Sequence, residues 1–336
     1  LRSLLALAVA ASTYLPVHVS AAETSPHDLW LISTRHAPYS SPVGGEDRIL
    51  YWRLSPENQW EVADLESFLA ADDPSVPTSV FIHGNRAGRQ WAVRMGDGMY
   101  RLLKKEAGER PFRFVIWSWP ADQISGVRRD VQVKAARSDV QAYYLAHVIR
   151  QIDPDVPVSL TGYSFGARTI TGALQLLAGG EFAGRSLPEG TGSVRRGPIR
   201  AVLVAAAMAN YWLLPGRSNG MALSRAERIL VTRNRNDPVL RWYDRMYGPG
   251  GPDALGYTGP ASLSRLGEEG DKVETLVLDR SVGNNHDWDG YLRDTGLRSR
   301  LAWYAFLEPA EPEAPVEPAA QPQPAEPPAD QPAPAS

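Results

Sequence analysis

Short apolar runs alternate with longer amphipathic runs through most of the chain. The short runs are rich in β-branched and aromatic residues, as buried strands are. They predict strands at 28–34, 48–54, 78–83, 112–119, 156–162, 199–206, 228–234 and 273–279. The longer runs place apolar residues at helical spacing and predict helices at about 87–107, 134–152, 165–179, 238–247 and 288–307.

From residue 78 onward this alternation predicts an α/β fold, with a mostly parallel central sheet of about eight strands and helices on both faces. The first two strands have no helix between them, so we expect an antiparallel edge. A chain of 336 residues that is 43% hydrophobic can bury one large core, and we assign 22–307 to one domain. Within it, 208–228 reads as a small flap over a pocket and 248–271 as a long loop rich in Gly and Pro.

The N-terminus has the layout of a secretory signal peptide over 1–21. Arg2 precedes the apolar stretch Leu4–Leu15, and small residues lead to a predicted cleavage after Ala21. A membrane-spanning helix is the alternative, but the apolar run is shorter than about 18 residues and ends at Pro16. We therefore expect a secreted or periplasmic protein with no transmembrane helix in its mature form.

The C-terminal stretch 308–336 consists almost wholly of Pro, Ala, Glu and Gln. It holds ten prolines and six acidic residues, with no Lys or Arg. Such a segment cannot bury enough apolar surface to order itself, so it predicts a disordered tail that acts as a solvated spacer. Its composition does not identify a partner.

Composition excludes several classes of site and makes a nucleic-acid partner less favoured. The chain has no cysteine, which excludes a thiol nucleophile, disulfides and Cys-based metal sites. Its formal net charge of −3 argues against nucleic acid as the main partner. The histidines do not recur at metal-ligand spacing, so we expect neither a metal nor another cofactor.

The stretch GYSFGA surrounds Ser164 with Gly162 and Gly166 where a predicted strand turns into a predicted helix. A chain that bends so sharply brings backbone segments close together, which favours glycine on both sides of the serine. The bend would expose the serine Oγ at a helix N-terminus, where negative charge is favoured. A Gly-rich turn with an ordinary serine is the alternative reading.

Three other strand ends carry the groups that a nucleophilic serine requires: an oxyanion-binding loop, an acid and a histidine. His83-Gly84-Asn85 follows the strand 78–83, and the N–H groups of Asn85 and Phe165 would form an oxyanion hole. Asp237 follows 228–234 and His286 follows 273–279. Because ligands gather at the carboxyl ends of parallel strands, we expect these groups to meet Ser164. A serine needs such a base and an orienting carboxylate to become a nucleophile.

The order Ser164, Asp237, His286, with the motifs FIHGNR, GYSFGA, RNDP and NNHDW, resembles the α/β-hydrolases of the serine esterase or lipase type. The resemblance runs from about residue 78 to 307. The stretch VIWSWPAD also resembles the "WPS" strand of a poorly characterised bacterial branch, although Ala121 stands where that pattern has serine. The resemblance implies acyl transfer through Ser164, most often on a small or lipid-like carboxylic ester.

Other assignments remain open at this stage. Asp244, Asp287 and Asp289 compete with Asp237 as the acid, and Asp289 could instead cap the last helix. His83 fits a brace for the oxyanion loop better than a base. Further residues could bind substrate or could form ordinary surface pairs and core, namely Arg86, Trp117, Trp119, Tyr211 and Trp212.

The reaction also has alternatives. Peptidase, thioesterase and amidase activities use the same machinery, as does a cofactor-free perhydrolase of the haloperoxidase type. A binding module that keeps the fold without catalysis is the alternative from another class. Since one fold hosts many chemistries, the motifs support a reaction class and not a substrate.

Overall fold

A computed structural model of the chain describes residues 26–39, 43–188, 195–246 and 250–307. The predicted signal peptide 1–21 and the predicted tail 308–336 lie outside these ranges. None of the helices in the described ranges has the length and apolarity needed to cross a membrane.

The described residues build one nine-stranded sheet. In chain order the strands are β1 (His27–Ser33), β2 (Leu50–Leu54), β3 (Trp60–Ala63), β4 (Thr78–Ile82), β5 (Phe112–Ser118), β6 (Val158–Tyr163), β7 (Ile199–Val204), β8 (Arg228–Arg233) and β9 (Val273–Val277). Across the sheet they follow the order β3-β2-β1-β5-β4-β6-β7-β8-β9. Every neighbouring pair from β1 to β9 in that order is parallel, whereas β2 is antiparallel to both β1 and β3.

Helices cover both faces of the sheet. They are α1 (Leu65–Leu69), α2 (Arg89–Ala107), α3 (Val127–Ile149), α4 (Phe165–Leu177), α5 (Leu255–Thr258), α6 (Trp288–Tyr291) and α7 (Thr295–Tyr304). Right-handed crossovers place α2 opposite α3 and α4, because the chain reverses direction across the sheet after β5. The contacts agree, since α3 packs on α4 and α2 packs on α7. The predicted α/β-hydrolase fold is confirmed.

The edge of the sheet differs from the prediction. β1 and β2 are antiparallel as expected, but β1 lies inside the sheet beside β5, and β3 forms the edge. The sequence did not predict β3 because its four residues, WEVA, include no buried side chain. A strand without a buried face lacks the apolar alternation that marks strands in a sequence.

Two helices also differ from their predicted bounds. α3 begins at Val127 rather than at 134, because four of its first eight residues are charged and these turns bury Asp130 and Lys134 instead of an apolar stripe. The predicted last helix is interrupted, and Asp294 caps its second part by accepting a hydrogen bond from the Leu297 N–H. The predicted helix at 238–247 is a 3₁₀ helix, Leu240–Met246.

The insertion 208–228 packs along α4. The Asn219 side-chain amide donates to Thr171 Oγ1 at 2.7 Å, and the Met221 N–H donates to Gln175 Oε1 at 2.8 Å. The described part of the predicted loop 248–271 contains α5 and most of the 3₁₀ helix Leu263–Lys272. It is tied to the insertion by the Leu255 N–H, which donates to the Met208 carbonyl at 2.7 Å.

Two glycines of α2 give a test of how tightly this helix packs on the sheet. A Cβ on Gly96 would lie 2.6 Å from Ile116 Cγ1 of β5, whereas a Cβ on Gly98 would meet no atom within 4 Å. We expect Gly98→Ala to raise the free energy of unfolding by about 0.5–1 kcal/mol through helix propensity. Gly96→Ala should lower the free energy of unfolding despite the same gain in helix propensity, because the β-branched core side chain of Ile116 must move. Denaturant unfolding measures both, and equal stabilisation by the two variants would contradict the packing.

Candidate active site

Ser164 lies between β6 and α4 in a strained conformation. Its φ of 56° and ψ of −113° are sparsely populated by residues with a side chain. Three hydrogen bonds hold it there: its N–H donates to Val204 O at 2.9 Å, and its carbonyl accepts the N–H groups of Ala167 at 3.1 Å and Ala207 at 3.3 Å. The backbone around the serine is therefore fixed before any ligand binds.

The flanking glycines are required by contact with neighbouring backbone. A Cβ on Gly166 would lie 2.1 Å from the Ile82 carbonyl oxygen, and a Cβ on Gly162 would lie 2.5 Å from the Gly166 carbonyl carbon. No side-chain adjustment can relieve a clash with backbone. The crowding that the sequence predicted around the serine is present.

Asp237 and His286 form a hydrogen-bonded pair. His286 Nδ1 lies 2.7 Å from Asp237 Oδ2, and the carboxylate is completely buried. Because Nδ1 faces a carboxylate, it carries a proton, and Nε2 is left as the ring atom that can accept one. This is the orientation that a base beside a serine needs.

Asp237 receives three further hydrogen bonds. The N–H groups of Val239 and Leu240 donate to Oδ1 at 2.9 Å each, and the Tyr291 hydroxyl donates to Oδ2 at 2.9 Å. Burial, with the negative charge of Asp237, raises the pKa of Tyr291, so that hydroxyl stays a donor. The sequence analysis missed Tyr291, because an aromatic residue in a helix carries no pattern that distinguishes it from core.

Tyr163 connects the histidine loop to the serine. It precedes Ser164 directly, its hydroxyl donates to the His286 carbonyl oxygen, and its ring centroid lies 5.5 Å from the His286 ring. Trp288 packs on Tyr163 at 5.6 Å and on Phe81 at 4.8 Å. The structure thus joins Asp237 to His286, and it joins the histidine loop to Tyr163, the residue before Ser164.

The loop after β4 lies against the serine. A Cβ on Gly84 would be 3.0 Å from Ser164 Cβ and 2.9 Å from the Tyr163 ring. Asn85 is the next residue along this loop. Phe165 is the first residue of α4, and first-turn N–H groups have no partner within their helix. The two residues predicted to form the oxyanion hole thus lie on segments that adjoin Ser164.

Asp130 holds the side chains of this loop. Its completely buried carboxylate accepts Asn85 Nδ2 at 3.2 Å and Arg86 Nε at 3.1 Å. The buried ammonium of Lys134 donates to the other oxygen at 2.9 Å, as does the Ile124 N–H at 3.0 Å. Burial alone would raise the pKa of Asp130, but the hydrogen bonds from Lys134, Ile124 and Arg86 outweigh it and lower the pKa to about 2.

Arg35 is a second clamp on the same loop. Its guanidinium donates to the Ala87 carbonyl at 2.8 Å, to Ser118 Oγ at 2.8 Å and to the Asp122 carboxylate at 2.6 Å. It joins the ends of β1 and β5 to the loop after β4. Neither Asp130 nor Arg35 was identified from the sequence, because each acts on residues far away in the chain.

His83 is buried as a neutral ring. Its Nε2 accepts the Trp119 N–H at 3.2 Å, so its proton is on Nδ1, which faces the Gly84 carbonyl at 2.8 Å. Burial lowers its pKa to about 3. Both nitrogens are engaged by backbone groups of the loop and of β5, which fits a brace for the oxyanion loop.

The predicted substrate-binding residues lie in different surroundings. Trp117 and Trp119 are completely buried and belong to the core. Trp212 packs on the Arg168 guanidinium at 4.5 Å and on Phe182, along the side of α4. Tyr211 contacts Arg217 at 5.3 Å, and Arg86 keeps 45% of its side chain exposed. Within the part of the chain that the structure describes, no three His, Asp or Glu side chains converge as a metal site requires.

Comparison with known proteins gives similarity at the level of shape. No family model and no curated protein sequence matches the chain. Among solved structures it is similar to TT1662 from Thermus thermophilus, at 13% identity and a TM-score of 0.34, over 76% of this chain and 93% of that one. It is also similar to Trichoderma reesei cutinase in complex with a C11Y4 phosphonate inhibitor, at 13% identity and a TM-score of 0.31, over 70% and 77%.

A third similar structure is the catalytic core domain of acetyl xylan esterase from Trichoderma reesei, at 15% identity and a TM-score of 0.36, over 69% of this chain and 98% of that one. Identities and TM-scores this low carry no argument about activity. The function proposed below therefore rests on the geometry of this chain.

The neutral His83 makes stability depend on pH. Its folded-state pKa, about 3, lies below the value of about 6.5 for an exposed histidine, so the unfolded chain binds the extra proton in this window. The His83 contribution should therefore be lost as pH falls from about 6.5 towards 3, by about 1.4 kcal/mol per pH unit.

His83→Asn, which keeps a donor but cannot titrate there, should flatten the pH dependence of the unfolding free energy between pH 6 and 4 by about that slope. His27 and His147, whose pKa values are also lowered by burial, remain in both proteins and cancel in the difference. Parallel curves for wild type and variant would show that His83 is not held neutral.

The buried Asp130–Lys134 pair allows a test of the clamp on the oxyanion loop. Asp130→Asn leaves the Lys134 ammonium buried without its counter-charge and should lower the free energy of unfolding by about 3–5 kcal/mol. Adding Lys134→Met removes that charge and should recover part of the loss. Urea unfolding of the two single variants and the double variant measures the coupling, and additive losses would contradict it.

Proposed function

We propose that this protein is a serine hydrolase that cleaves carboxylic esters through an acyl-enzyme on Ser164. One observation supports the proposal: a fully buried Asp237 orients His286, whose carbonyl accepts the hydroxyl of Tyr163, the residue before a serine in a strained strand–helix turn. Structural serines do not need a strained backbone, and a surface histidine does not need a buried carboxylate. Their combination fits nucleophilic catalysis.

In the proposed first step, His286 Nε2 takes the Ser164 hydroxyl proton while Oγ attacks the ester carbonyl. The carbonyl oxygen becomes an oxyanion, and the N–H groups of Asn85 and Phe165 donate to it. His286 then gives its proton to the departing alkoxide, which leaves an acyl group on Ser164. Water, deprotonated by His286, repeats the sequence and releases the acid.

Asp237 has two roles in this scheme. Its hydrogen bond to Nδ1 fixes the tautomer and ring orientation of His286, and its charge stabilises the imidazolium that forms in each step. The donors from Val239, Leu240 and Tyr291 hold the carboxylate in place within a buried site. Such prepositioning lowers the reorganisation that the reaction requires.

The substrate is proposed to be a small or lipid-like ester. Arg86 is our candidate for a substrate contact, because its side chain is held by Asp130 at Nε and is otherwise half-exposed two residues from Gly84. Trp117 and Trp119 would act indirectly, since both are buried and Trp119 donates to the His83 carbonyl at 2.8 Å. From the N-terminal pattern, we further propose that the protein acts outside the cytoplasm.

A fluorophosphonate tests the proposal because it phosphonylates activated serines only. Wild-type protein should be labelled, and Ser164→Ala should not. His286→Ala and Asp237→Asn should slow labelling by at least about 10³-fold, as loss of a base or its orienting acid does. Ser224→Ala, at an exposed serine on the insertion, is the matched control and should label like wild type.

The contradicting result is a folded wild-type protein that is not labelled, or labelling that survives in Ser164→Ala. A panel of acyl esters, thioesters and anilides would then define the reaction of an active enzyme. Halogenation that requires peroxide would instead indicate a perhydrolase.

A further inference from the structure

Three segments lie at the same edge of the sheet as the histidine loop that follows β9. Residues 84–94 follow β4, residues 121–129 follow β5, and residues 235–245 follow β8. These strands are parallel to β6, so the segments share the edge at which Ser164 lies. Hydrogen bonds to Asp130 tie the first two together, and the 3₁₀ helix Leu240–Met246 of the third packs on α3.

These segments concentrate positive charge. We name their exposed arginines the arginine rim; they are Arg86, Arg89, Arg94, Arg128, Arg129, Arg235, Arg241 and Arg245. The same segments hold three acids against these eight arginines: Asp122 is bound by Arg35, Asp237 is buried, and Asp244 accepts the Arg245 N–H. The whole chain carries a net charge of −3, so the positive rim is local.

Large apolar side chains stand exposed among the arginines. Trp91 is 45% exposed, Val127 71%, Val239 55% and Trp242 50%. The guanidinium of Arg94 lies 5.2 Å from the Trp91 ring centroid, and that of Arg245 lies 3.4 Å from the Trp242 ring. Paired aromatic and cationic side chains are suited to the boundary between water and hydrocarbon, where each end finds a favourable medium.

We propose that the arginine rim, with these four apolar side chains, docks the protein on an anionic lipid surface. The positive rim attracts a negatively charged leaflet. A soluble polyanion would satisfy the arginines but leave the apolar side chains in water, whereas a lipid layer takes up both. Docked in this way, the protein faces its site towards the layer, and esters within that layer reach Ser164.

The docking adds a partner to the proposed function, and only the delivery of esters rests on that function. Binding can therefore be measured on Ser164→Ala protein, which has no nucleophile. We expect the full chain to co-sediment with vesicles of equal parts phosphatidylglycerol and phosphatidylcholine, and far less with pure phosphatidylcholine. Added salt should weaken the binding, because it screens the attraction.

Two substitutions address the two parts of the surface. Arg128→Gln with Arg129→Gln should weaken vesicle binding by about 25-fold, since each cation near an anionic leaflet contributes about 5-fold. Trp242→Ala should also weaken vesicle binding, and this loss should change less with salt concentration, because salt does not screen an apolar contact. The matched control is Lys105→Gln with Arg110→Gln, an exposed cation in the last turn of α2 and another three residues after that helix, which should leave binding unchanged.

Equal binding to both kinds of vesicle, or equal losses in rim and control variants, would overturn the proposal. Binding to heparin without binding to vesicles would overturn it in favour of a soluble polyanion.

With active protein, the Arg128→Gln, Arg129→Gln variant should hydrolyse a soluble short-chain ester at the wild-type rate but an ester in anionic vesicles more slowly. Vesicle binding without fluorophosphonate labelling would reject the proposed function alone, and labelling without vesicle binding would reject the docking alone.

Discussion

The site depends on the close approach of backbone to backbone beneath Ser164. Gly166 leaves no room for a Cβ against the Ile82 carbonyl, and Gly162 leaves none against Gly166. This approach lets the loop after β4 reach the serine and lets Tyr163 reach the histidine loop. A residue strained by about 1–3 kcal/mol persists because its surroundings offer no alternative. The arrangement of the site is thus decided by the crowding and not by a ligand.

Two buried carboxylates, Asp237 and Asp130, hold segments of the candidate site in place. Asp237 accepts four donors, one of them His286, the proposed base, while Asp130 accepts four donors and holds the loop after β4. An unpaired buried charge is strongly unfavourable, so each carboxylate makes its neighbours hard to displace. Buried carboxylates thus fix both the histidine loop and the loop after β4, on elements that are separate in the chain.

The sequence predicted the parts of the structure that depend on local pattern. Ser164 and its glycines could be recognised because strand, turn and helix are adjacent, and Asp237 and His286 because parallel strands end at one edge. The sheet edge β3 could not be predicted, since its side chains have no buried face. Asp130 and Arg35 were missed because no local pattern marks their partners, which lie far along the chain, 45 residues away in the case of Asp130 and Asn85. Tyr291 was missed because an aromatic residue in a helix resembles a core residue.

The position of β1 has a consequence for how the chain folds. β1 comes first in the chain among the described strands, yet one of its sides pairs with β5. His27 can therefore meet Phe112 only after β2, β3 and β4 have been synthesised. Contacts between distant segments form slowly, because a long loop must close first. During synthesis, β1 can pair with β2 early while its other edge stays open. That apolar edge is the part of the nascent chain most exposed to wrong pairing.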